Sequence, residues 1–140
     1  MNVTVKVSAL VYPTEMQEKV KTAIINIVPL ELDFQDFGVP RLCGEGNIEN
    51  LRKLHLLLRE ERILDTARHI LLTGIDGNTI QFHVSKQVAY IGKVNFPAWD
   101  ETLGPIHIEI FAENKVELMK IIDWLAPETI DGKPVVEIEL

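Results

Sequence analysis

Cysteine occurs once in the 140 residues, at Cys43. One thiol forms no internal disulfide, which excludes the stapled scaffolds of small secreted proteins. Uninterrupted apolar runs are only a few residues long, far short of the ~20 that a membrane helix needs. Basic residues are outnumbered, with 14 Lys and Arg against 21 Asp and Glu for a formal charge of −7, and that balance discourages binding to nucleic acid or anionic lipid over the whole surface. Met1 leads into alternating Val3, Val5 and Val7 with no basic stretch before an apolar one, so no signal peptide is expected and the cytoplasm is the expected compartment. What remains, 46% hydrophobic and 25% charged, is the composition of a single domain spanning residues 1–140.

Periodicity predicts the elements. Val3 to Val11 alternate as a strand, helical spacing follows from Met16 to Ile27, and Leu30, Leu32 and Phe34 resume the two-residue period, giving a β-α-β unit. The run GVPRLCGEG at 38–46 has turn chemistry and reads as an exposed loop. Ile48 to Leu58 and Ile63 to Leu71 read as two short helices or one bent one, Thr79 to Val84 as a strand and Ser85 to Tyr90 as a short helix. Ile106 to Ile110, then Leu118, Ile121, Ile122 and Leu125, then Val136, Ile138 and Leu140 make a second β-α-β unit. The expected class is α+β: a mixed, mostly antiparallel five-stranded sheet with helices on one face, two β-α-β units flanking a helical insert.

Catalytic and metal signatures are missing. His55, His69, His83 and His107 share no ligand spacing, although His83 and His107 have the outward parity of neighbouring strands. The glycines around Cys43 lack a P-loop ending, and Ser8 and Ser85 lack a nucleophile turn. No catalytic residue, metal or cofactor is expected.

Charge is divided unevenly. Residues 41–93 carry eight basic and six acidic side chains, whereas residues 94–140 carry three and ten. Arg52, His55 and Arg59 fall at i, i+3, i+7 on one helix, and Arg62, Arg68, Lys86 and Lys93 follow in the same basic middle. These seven are the candidate nucleic-acid contacts; the alternative is a solvated face paired with Glu49, Glu60 and Asp65. The outward strand positions are Thr4, Lys6, Ser8, Gln81, His83, His107, Glu109, Glu137 and Glu139, with Phe111 the lone ring. Such an acidic face does not suit base stacking of the RNA-recognition-motif kind; a partner or a second copy of the same protein covering it suits it better.

RILDTAR at 62–68, GNTIQFHVSKQVAYIGKVNF at 77–96, LGPIHIEI at 103–110 and WLAPETIDGKPV at 124–135 resemble the archaeal uncharacterised protein family 0201 over nearly the whole chain. The resemblance implies a fold similar to that of the large-subunit ribosomal protein that binds 5S RNA, and the RNA-binding or exosome-subunit-like role given to members. Three readings follow. The first is a non-catalytic protein contacting structured RNA through the basic middle. The second is a structural homodimer. The third is a small enzyme or ligand-binding domain built on loops 38–46 and 92–104 with Cys43, Trp99 and Asp100.

Overall fold

The computed structural model describes residues 2–97 and 103–140. Its elements are β1 (Thr4–Leu10), α1 (Gln17–Ile27), β2 (Asp33–Asp36), β3 (Pro40–Gly46), α2 (Arg52–Glu60), α3 (Leu64–Thr73), β4 (Ile75–Asp76), β5 (Thr79–Val84), α4 (Lys86–Tyr90), β6 (Ile106–Phe111), α5 (Lys115–Leu125), β7 (Thr129–Ile130) and β8 (Lys133–Pro134). Six strands form one sheet in the order β2-β3-β1-β6-β5-β4, and β7 pairs with β8 alone. Each of these pairings is antiparallel. The α+β class holds; the sheet has six strands where five were expected, with no parallel ladder among the described residues.

Alternation sorts the strand residues. Val5, Val7 and Ala9 of β1, Ile80, Phe82 and Val84 of β5, and Ile106, Ile108 and Ile110 of β6 are buried. They meet the apolar stripes of α1 (Val20, Ala23, Ile24, Ile27) and α5 (Leu118, Ile121, Ile122, Leu125) in one core. Asn114 starts α5, its side chain accepting from the Glu117 N–H at 2.9 Å. Helix α1 starts at Gln17 without a side-chain cap. Just before it, Glu15 turns back to accept from the Tyr12 N–H.

Two expectations fail. The segment read as a loop at 38–46 contains strand β3, paired to β1 over six positions and to β2 over four. With two glycines in seven residues its own strand propensity is poor, and the neighbours on both sides impose the conformation. Gly44 is needed there: a Cβ would stand 2.6 Å from the Glu31 carbonyl oxygen. β1 and β2 run in the same direction with β3 between them, so the first β-α-β unit is present in split form. The strand expected at 136–140 is absent. That segment leaves β8 without joining the sheet, and Ile138 and Leu140 pack partly buried against the core.

Candidate nucleic-acid interface

Helix α2 buries Leu54, Leu57 and Leu58, which sets Arg52, His55 and Arg59 along the border of that apolar stripe. The neighbour there is the C-terminal end of α5, where helix geometry leaves carbonyls without partners. Arg59 serves them: Nη1 donates to Leu125 O at 3.1 Å and to His55 O at 2.8 Å, and Nη2 to Trp124 O at 3.0 Å. Its remaining edge meets Glu137, Nε to Oε2 at 2.9 Å and Nη2 to Oε1 at 2.6 Å. Arg68 of α3 serves the same helix end, donating to Ala126 O at 3.1 Å and to Asp123 at 2.8 Å, with Glu128 at 3.6 Å. A positive charge at a helix C-terminus is also favoured by the dipole.

The other candidates divide sharply. Arg52 is exposed and binds Glu49 through a two-point contact of 2.5 and 3.0 Å, and it donates to Leu140 O at 3.1 Å. Its guanidinium lies 5.7 Å from the Trp124 ring centre, and His55 stacks on the same indole at 4.6 Å. Lys86 is buried against Glu15. Arg62 and Lys93 are exposed, with no side-chain hydrogen bond or ion pair among the described residues. They sit at one end of α2: Glu61 accepts from the Val94 N–H at 2.9 Å, which brings Lys93 to the turn holding Arg62. Arg62 adopts the left-handed backbone at φ 57°. It lines a cleft of ≈ 360 Å³ with Lys133, a cation outside the basic middle segment, and with Asp131. Lys133 is 40 residues beyond Lys93 in sequence and only the β7-β8 turn brings it here.

Two groups beside Arg59 titrate abnormally. The hydrogen bond from Arg59 holds the Glu137 carboxyl below its ordinary 4.5, helped by the charges of Arg59 and His55 and opposed by desolvation. Burial pushes His55 below its ordinary 6.5, with Arg59 and Arg52 adding to the effect and Glu137 opposing it. Both groups bind protons more readily in the unfolded chain, so acidification costs stability, His55 contributing as pH falls from about 6.5 and Glu137 as it falls from about 4.5. The melting temperature is expected to fall between pH 7 and pH 4, and His55→Gln to flatten the upper part of that slope. Thermal denaturation followed by circular dichroism across the range checks both.

The open sheet face differs from its sequence reading, because Glu137 and Glu139 lie on the helix side. Lys6, Ser8 and Glu109 remain there, and strands β2 and β3 add Asp33, Arg41, Cys43 and Glu45 around a shallow hollow of ≈ 340 Å³. His83 and His107 are cross-strand partners and meet edge to face at 4.5 Å. No group of three or more His, Cys, Asp or Glu side chains suited to a metal ion occurs among the described residues. Cys43 lies in β3 and its thiol donates to Gln35 at 3.7 Å. Leu103 lines a separate hollow of ≈ 410 Å³ between α1 and α4, so the two segments of the ligand-pocket reading face different cavities; Trp99 and Asp100 lie outside the described residues. No described helix is long and apolar enough to cross a membrane.

A family model described as RNA binding matches residues 4–112. A UPF0201 protein of Methanopyrus kandleri is 41% identical over 145 residues, covering 96% of this chain and 91% of that one. A UPF0201 protein of Pyrococcus horikoshii is 46% identical over 135 residues, covering 94% of each. The crystal structure of a UPF0201 protein from Methanococcus jannaschii superposes with a TM-score of 0.84 at 39% identity, over 95% of this chain and 99% of that one.

Proposed function

The chain belongs to the UPF0201 family, and from that premise we propose that it is a non-catalytic, cytoplasmic protein that binds structured RNA through its phosphates, using Arg62, Lys93 and Lys133. The observation that carries this reading is the gathering of these three cations at one end of α2 with none of them committed to a partner among the described residues. An uncommitted cation can release counterions from a phosphate backbone, whereas Arg68 and Lys86 already spend their donors inside the protein and the outer edge of Arg59 is taken by Glu137. The ring-poor sheet face suits this mode, which reads backbone and shape and stacks no bases.

Fluorescence anisotropy with a labelled hairpin RNA tests it. Three phosphate contacts predict an affinity that falls on the order of 40-fold between 50 and 200 mM salt. Arg62→Glu combined with Lys93→Glu and Lys133→Glu is expected to weaken binding at least tenfold at the lower salt and to flatten the salt dependence. Equal binding by the variant overturns the assignment. Self-association is a second reading, favoured by edge strand β2: Phe34 and, just beyond it, Phe37 are exposed, the latter by 89%. Light scattering without RNA reports it.

A further inference from the structure

We propose that Arg52, His55 and Arg59 form a second phosphate-binding site, closed by the protein's own acidic segment 135–140, which occupies it as a mimic of the RNA backbone. The inference rests on the RNA-binding reading above and concerns how much of the basic surface is available.

The arginine is ready for an oxyanion before one arrives. Three backbone carbonyls, those of His55, Trp124 and Leu125, fix the guanidinium of Arg59 from the protein side. Its Nε and Nη2 edge points outward at the Glu137 carboxylate, the two-point geometry that serves a phosphate equally well. Two turns away Arg52 donates to Leu140 O and feels the charge of Glu139 after that of Glu49. Stacked on Trp124, His55 lies between the two arginines in sequence and in the same hollow as Arg52. Two carboxylates and a carbonyl therefore stand against the basic stripe.

The segment is held lightly. Among the described residues it joins no ladder and its single backbone bond outside regular elements is from Val135 N–H to Glu128 O, and Val135 and Val136 are exposed. Residues 137–140 line a hollow of ≈ 470 Å³ together with Arg52, His55 and Trp124, so the stripe is not filled by the segment that crosses it. Glu137 is half exposed, and an ion pair of that kind contributes little to stability. A polyanion that offers several phosphates to the same arginines competes for them, and the measured affinity is reduced by the fraction of molecules in which the segment is seated.

The test uses the full chain with Glu137→Gln and Glu139→Gln, which keeps the packing of Ile138 and Leu140, and the labelled hairpin RNA as probe. The double variant is expected to bind about fivefold or more tightly than the wild type at 100 mM salt and to show a steeper salt dependence. Adding Arg52→Gln should remove much of that gain. A charge-matched control, Glu18→Gln with Glu113→Gln, changes exposed acids elsewhere and should leave affinity near that of the wild type. An equal gain in the control, or a gain indifferent to Arg52→Gln, overturns the inference. So does unchanged affinity of the double variant while the wild type binds, which leaves the RNA-binding reading standing. No binding by either protein overturns both.

Discussion

Lys86→Met is expected to cost about 3–5 kcal/mol of stability, the usual consequence of leaving one member of a buried ion pair alone. Both partners are inside, Lys86 at 4% side-chain exposure and Glu15 at 10%. The ammonium donates to both Glu15 carboxylate oxygens at 3.0 and 3.2 Å, to Leu10 O at 2.9 Å and to Leu103 O at 2.6 Å. It also lies 5.5 Å from the Tyr12 ring centre. One side chain on α4 thus ties together the end of β1, the turn before α1 and the chain entering β6. Methionine fills the volume and strands a carboxylate and two carbonyls. For a domain of this size the melting temperature should drop by on the order of 10 °C or more. Adding Glu15→Gln removes the stranded charge and should restore part of the loss. Urea denaturation of the single and double variants measures this, and a loss below about 1 kcal/mol for Lys86→Met would mean that the pair is solvated after all.

In the sequence Lys86 looks like any other cation of the basic middle, and the reason is general. Local spacing states which face of an element a residue occupies; it does not state what lies against that face. The alternation of β1, β5 and β6 and the helical spacing of α5 were legible because each is decided within one element. β3 was not, since neighbours far along the chain hold its glycines extended. Val136, Ile138 and Leu140 alternate as a strand does, yet Ile138 and Leu140 pack on the helix side of the core. That misplacement also put Glu137 and Glu139 on the wrong surface. The stripe of Arg52, His55 and Arg59 was read correctly as one edge of a helix. Among its expected acid partners Glu49 does bind Arg52, but Asp65 accepts from Thr129 and the partner of Arg59 is 78 residues away. Lys133 was missed because a hairpin in the acidic C-terminal part delivers it to Arg62. A search for cations near turns would have found it.

Arg59→Met should cost about 2–4 kcal/mol, and the source of that loss separates two roles that the structure superimposes on one side chain. As a cap, Arg59 satisfies Trp124 O and Leu125 O at the C-terminus of α5, where Trp124 is buried and water has poor access. As an ion-pair partner it holds Glu137, which is half exposed. The first role should dominate, because an unsatisfied buried carbonyl costs more than a screened surface charge returns. Glu137→Gln is therefore expected to lower stability by no more than about 1 kcal/mol. Arg59→Lys should recover less than half of the methionine variant's loss, since one ammonium cannot reach three carbonyls fixed for a planar fork. Urea titrations of the three variants at pH 7 decide the matter. Equal losses in Arg59→Met and Glu137→Gln would place the energy in the ion pair, and the segment it holds would then be a fixed part of the fold, unable to yield its arginines to RNA.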